Sequence, residues 1–156
     1  MEICKKAYAR ISILSKLKYV GLKMEDLLSV YKTYIRCNVE YCCVVWHSSL
    51  TVHQNNALER KQRVCLKIIP GKDYVEYIIA LESCELETLV SRRDKFSLFF
   101  AKKCIKSSKH HHLFPAAVHP HEQQLRHQEQ YHVINHARTE KYRKSGIPHI
   151  QRLLNR

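Results

Sequence analysis

Histidine and cysteine are the residue types here most able to do chemistry, with 11 histidines and seven cysteines in 156 residues. His110, His111 and His112 are consecutive, and His119 and His121 are two apart. A structural zinc ion needs four such ligands converging in a tetrahedron, usually supplied as spaced pairs. Cys42 and Cys43 are adjacent rather than two residues apart, and the later histidines lie in a polar, proline-containing segment without a rigid frame. The pattern reads as a solvated His-rich linker, so no metal ligand is assigned. Most of the cysteines sit among Val, Leu and Ile, where a reduced thiol behaves as a small hydrophobe. A nucleophilic thiol would need a base at hydrogen-bond reach and an electropositive, exposed setting, and neither is apparent.

Carboxylates make no stronger case. Two-metal phosphoryl chemistry needs clustered Asp or Glu to hold its cations. The only aspartates are Asp26, Asp73 and Asp94, with no Asp-Asp pair. Glu85 and Glu87 flank Leu86 at a helix start, where acidic residues suit the positive end of the dipole. No glycine-rich loop is present to cradle phosphates. No catalytic residue and no cofactor are assigned to the chain.

Positive charge is the stronger signal. The chain carries 27 Lys+Arg against 14 Asp+Glu, a formal net charge of +13. That balance favours a polyanionic partner, either nucleic acid or an anionic membrane surface. Arg60, Lys61, Arg63 and Lys67 form one basic face. Arg92, Arg93, Lys95, Lys102, Lys103 and Lys106 form another. In each, Lys and Arg would contact phosphates without choosing sequence, and neighbouring Tyr and Phe would stack on bases. The nucleic-acid-binding set assigned from these faces is Arg60, Lys61, Arg63, Lys67, Arg92, Lys95, Lys102 and Lys106. No apolar stretch reaches the roughly 18 residues that span a bilayer. Met1 precedes a charged amphipathic pattern rather than the apolar run of a leader. The expectation is a soluble protein of a reducing compartment, cytoplasmic or nuclear, with RNA or an RNA-DNA hybrid as partner and no membrane.

The elements that must position these residues are helical. Three glycines and four prolines leave few breaks, which favours long helices. Ile3, Ala7, Ile11, Leu14 and Leu17 recur at helical steps over 1–20, with Gly21 as the stop. Met24, Leu27, Leu28, Tyr31, Tyr34 and Ile35 form a second stripe, which continues through Val39, Cys42, Cys43 and Trp46. This predicts one long helix, or two with a break near Asn38, with Trp46 at the corner of a helix pair. Thr51 is placed to cap the next helix, which Pro70-Gly71 ends; Ala57, Leu58, Val64, Cys65, Ile68 and Ile69 are its apolar face. A short helix over Val75 to Leu81 follows. A long helix over Leu86 to Lys106 has Leu86, Leu89, Val90, Phe96, Phe100 and Cys104 as its core side. After Ser107 the chain is polar and His-rich. Residues 147–154 predict a closing helix with Pro148 in its first turn. The expected fold is all-α: an irregular bundle of four to five helices over 1–107, then an extended, partly ordered tail over 108–156 with a short terminal helix.

Several strings, taken in order, resemble one family. ISILSKLKYVGLKMEDLLSVYKTYIRCNVEYCCVVWHSSLT comes first, then QNNALERKQRVCLKII, then LETLVSRRDKFSLFFAKKC. Leu113 to Pro115 and RTEKYRKSGIPHIQRLLN complete the set. The ordered strings cover nearly the whole chain. They resemble the region that follows the polymerase core in reverse transcriptases of non-long-terminal-repeat retrotransposons, of the jockey-like and chicken-repeat-like kind. The resemblance implies the helical thumb and connecting region of an RNA-directed DNA polymerase, which grips the primer-template duplex or the element's RNA. It implies that the catalytic aspartates and their Mg²⁺ belong to a palm domain, the intramolecular partner, whose aromatic-Ala-Asp-Asp motif the chain lacks. As it stands the chain is therefore not expected to be an enzyme.

The sequence departs from that family where Cys37 and Val44 stand in place of prolines, and where Pro70 precedes Gly71. These changes fit a diverged copy and bear on the bend before Trp46. Two rival readings follow from the same residues. One is a helical protein-interaction or scaffold module, in which the charges have no nucleic-acid role. The other is a translated remnant without function, which the charged start at Met1 suggests.

Overall fold

The computed structural model describes residues 2–115, 132–134, 136 and 138–155. Every element among them is helical, so the fold is all-α. The chain divides into two compact units, both discontinuous in sequence. The first is Met1–Cys43 with Leu50–Arg93, and the second is Val44–Ser49 with Asp94–Arg156. The change of composition at Ser107 does not coincide with that division.

The first unit begins with α1 (Glu2–Tyr19). Ala7, Ile11 and Leu14 are buried along one side, as their spacing predicts. Gly21 follows the helix at φ 94°, a left-handed conformation open to glycine at little cost. Next comes α2 (Met24–Val30), which runs into a π-helical stretch over Tyr31–Arg36 and then into α3 (Cys37–Glu40). The ladder widens where Thr33 Oγ1 and Cys37 Sγ each donate to the carbonyl four residues earlier, Ser29 and Thr33 respectively. The helical path breaks at Tyr41-Cys42, three residues beyond the expected point. Cys42 takes φ 49° there, a strained conformation for a residue with a Cβ. The turn is thus made without a proline.

Helix α4 (Cys43–Trp46) leads into a 3₁₀ turn at His47–Ser49. Trp46, expected at the corner, is half-buried, whereas His47 is buried. Helix α5 (Val52–Ile68) starts in a capping box, with the Thr51 hydroxyl accepting from Gln54 N–H and the Gln54 side chain accepting from Thr51 N–H. Its C-terminus is closed by Lys18 Nζ, which donates to Ile69 O at 2.8 Å. Helix α6 (Tyr77–Ser83) lies two residues later than its predicted span. The first unit's core gathers Ile11, Leu14, Leu27, Tyr31, Ile35, Cys65, Leu66, Ile69 and Leu81. Helix α1 packs on α5, α3, the π-helical stretch and α2, and α5 packs on α6.

Helix α7 (Leu89–Lys106) crosses from one unit to the other. Its buried face keeps part of the predicted core side, since Leu86 just before the helix, Leu89 and Cys104 are buried, and differs in the rest. Leu89, Arg93, Ser97, Ala101 and Cys104 are buried, while Val90, Phe96 and Phe100 are 37%, 38% and 43% exposed. The buried residues step by three and four as a helical face must. The sequence pattern placed Val90, Phe96 and Phe100 inside in place of Arg93 and Ser97, because those two do not look like core residues.

In the second unit, α8 (Glu140–Arg143) and α9 (Gly146–Leu154) lie in the predicted tail, and Pro148 sits in the first turn of α9 as expected. Ala101, Cys104, Phe114 and Ile150 form this unit's apolar core, with Val44, Ile105, Leu113, Ile147 and Leu154 packed against it. Asn155 fastens residue 132 from both sides, accepting from its N–H at 2.8 Å and donating to its carbonyl at 2.9 Å. His119 and His121, singled out by spacing, lie outside the described residues.

Candidate functional site

Helix α5 carries the first basic face. Arg60, Arg63 and Lys67 are exposed and Lys61 is half-buried. The helical period that puts Leu58, Cys65, Leu66 and Ile69 in the core turns these cations outward. Three of the four lie over tyrosines. Lys61 Nζ is 5.0 Å from the centre of the Tyr8 ring, the Arg63 guanidinium 4.7 Å from Tyr77, and Lys67 Nζ 5.6 Å from Tyr74. Such contacts hold long side chains against the surface while leaving their charge in water. Arg60 and Arg63, with Asn56 and Glu59, line a shallow open hollow of about 260 Å³.

The second basic face is less uniform. Lys95, Lys102 and Lys106 are exposed on α7, and Lys103 Nζ lies 4.6 Å from the centre of the exposed Phe99 ring. Arg92 is half-buried and bonded to Glu40 through Nε at 2.6 Å and a terminal nitrogen at 3.2 Å. That hydrogen-bonded pair raises the guanidinium further above its ordinary value. Arg93, counted in the wider basic face, is fully buried and donates to Asn55 Oδ1 at 2.8 Å. Two members of this face thus bond acceptors inside the first unit.

Sequence reasoning also missed a polar network in the first unit's interior. Gln62, 1% exposed on α5, accepts from Tyr31 Oη at 2.5 Å. Its amide nitrogen donates to Tyr77 Oη at 3.0 Å and to Glu87 O at 2.8 Å. Tyr77 in turn donates to Glu59, whose other oxygen accepts from Leu89 N–H at 3.1 Å at the start of α7. Burial pushes both phenols well above their ordinary value, and at Tyr77 the bond to Glu59 adds to the shift. Burial likewise pushes the neighbouring Cys65 thiol up to about 12.

One cluster in the second unit has donors suited to a cation. Two imidazoles and one carboxylate offer ligand atoms that all lie within 4.8 Å of one another: His47, Asp94 and His149. His47 Nε2 is 2.9 Å and His149 Nε2 is 3.2 Å from the same oxygen, Asp94 Oδ1. Local structure explains the convergence. His47 opens the 3₁₀ turn, Asp94 lies in the second turn of α7, and His149 lies in the first turn of α9. Helix α9 packs on that 3₁₀ turn. A Cβ at Gly146 would meet Val44 O at 3.4 Å, so the start of α9 passes close to the 44–49 backbone. None of the three residues was assigned from the sequence. They are 47 and 55 positions apart, so no local spacing announces them.

Comparison with protein-family models, curated proteins and solved structures gives no match at any of the three levels. Among the described residues, no helix is long and apolar enough to cross a membrane.

Proposed function

We propose that the chain is the helical post-palm part of an RNA-directed DNA polymerase from a non-long-terminal-repeat mobile element, and that its own activity is sequence-independent binding of RNA or an RNA-DNA hybrid. The observation that carries this reading is the row of exposed cations Arg60, Arg63 and Lys67 along α5. The ordered family-like strings and the net charge of +13 support it. Lys61, Lys95, Lys102 and Lys106 extend the phosphate-binding surface, and Arg92 supports it from its bond with Glu40. The chain binds and does not catalyse; Mg²⁺ and the reacting carboxylates belong to the palm, its intramolecular partner. Free cysteines, four of them buried, fit a reducing compartment, cytoplasmic or nuclear, and no membrane partner is invoked.

Charge reversal tests this. The triple variant Arg60→Glu, Arg63→Glu, Lys67→Glu should reduce the salt dependence of hybrid binding by about two to three phosphate equivalents on a log-log plot. An unchanged affinity and slope would remove α5 from the interface. Exposed Val75, Ile78 and Ile79, at 74%, 60% and 48%, favour a second reading, a helical module that docks on another protein. That reading predicts a defined protein partner and negligible hybrid binding at low salt.

A further inference from the structure

We propose that the second unit holds one divalent transition-metal ion of the zinc class, with His47 Nε2, Asp94 Oδ1 and His149 Nε2 as its protein ligands. The argument begins with geometry. In a tetrahedral site with bonds of about 2.0 Å, neighbouring ligand atoms are about 3.3 Å apart. The two nitrogen-oxygen separations, 2.9 and 3.2 Å, are close to that edge. The two imidazoles stand nearly perpendicular, at 87° with centroids 5.5 Å apart. Rings in that relation do not stack, and the three ligand atoms all lie within 4.8 Å of one another.

Hydrogen bonding is the competing account. Each imidazole would donate an Nε2–H to Asp94 Oδ1, so one oxygen would accept from two rings. Both rings approach Asp94 Oδ1 and neither approaches Oδ2 in the contacts the structure shows. The crowding on one oxygen is what a cation shared by three donors accounts for. A cation there also replaces two protons that otherwise point at the same atom.

The donor set names the class of ion. Two imidazoles and one carboxylate suit zinc and its first-row neighbours, whereas calcium and magnesium take oxygen ligands. His47 is 6% exposed in its side chain and anchors the inner side, while Asp94 and His149 are 26% and 25% exposed. The fourth position therefore faces the outer side and takes a water molecule. The ion ties the 3₁₀ turn, α7 and α9 together within the second unit. Because those segments are far apart in sequence, closing them with one ion links metal binding to folding.

The test uses the full chain, stripped with a chelator and titrated with Zn²⁺ against a chromophoric competitor, and with Co²⁺ as a spectroscopic probe. One tight zinc per chain is expected, together with the visible bands of a four-coordinate Co²⁺ site. Asp94→Asn keeps the side-chain shape, and His149→Ala removes a partly exposed ring. Each should weaken zinc by at least about 100-fold while far-UV circular dichroism stays native. Replacing His110, His111 and His112 together by Ala should leave the tight site intact. His47→Ala should also abolish binding; because that ring is buried, the other two variants decide the matter if it does not fold. Undiminished binding in Asp94→Asn and His149→Ala, or loss only in the triple variant, would overturn the proposal and leave a purely hydrogen-bonded cluster.

Discussion

Two polar clusters of this chain are arranged in opposite ways. Gln62 in the first unit is surrounded by neutral partners, and each of its polar atoms has a donor or acceptor. His47, Asp94 and His149 in the second unit are ionisable, and both rings approach one oxygen, Asp94 Oδ1. A closed amide-phenol network stabilises one arrangement and needs nothing more. A convergent base-acid cluster leaves coordination to be completed. A polar cluster whose groups converge on one atom thus points to a bound ion more directly than one whose members pair off.

The sharpest break between the two should come at alkaline pH. In the first unit, burial raises Tyr31, Tyr77 and Cys65, the thiol from 9.0 to about 12. The folded state therefore holds these protons after the unfolded state has released them. The stability they contribute is complete below about pH 9 and is lost as pH climbs through about 12. Amide exchange in α1 and α5, followed from pH 8 to 11, should accelerate beyond the chemical trend; its absence would mean the phenols are not buried as described.

Next in size is the network itself. Gln62→Leu keeps most of the volume but strips partners from Tyr31 Oη, Tyr77 Oη and Glu87 O. It should cost about 2–3 kcal/mol in urea unfolding, since orphaned buried groups bear the full desolvation penalty. Trp46 is the chain's only tryptophan and belongs to the second unit, so its fluorescence distinguishes the two interiors. The Gln62→Leu loss should register in α1 and α5 first, and added zinc should move only the tryptophan signal.

The smallest effect belongs to α8. Arg143 and Lys144 donate to Glu140 and hold its carboxyl at about 2. Its contribution is present above the ordinary carboxylate value of 4.5 and lost as pH falls through about 2. Being fully exposed, the group should give no more than a slight fraying of 140–143 in NMR, and salt should weaken the effect.

Helix ends were the most legible part of the fold. Gly21, Thr51 and Pro70-Gly71 act on the backbone within a few residues, so local sequence is enough to find them. The inward face of α7 was legible only in part, at Leu89 and Cys104 and at Leu86 just before it. Arg93 can be buried because Asn55, 38 positions earlier, accepts from it, and no helical periodicity carries that information. The basic row of α5 was readable for the converse reason: its exposure follows from the apolar stripe beside it. Arg92 could be placed on a face, but its bond to Glu40, 52 positions away, could not. The His47-Asp94-His149 cluster lay furthest from view, since the search for metal ligands looked for close spacing and found the histidines after Ser107.

The six residues Val44–Ser49 belong to the second unit, yet the first unit's chain runs on both sides of them. No single cut can therefore excise either part whole. A piece starting at Asp94 would lack His47, and one ending at Arg93 would carry a stray strip of its neighbour. Synthesis from the amino end must leave that strip waiting until some 50 to 100 further residues have emerged, the kind of distant closure that slows assembly.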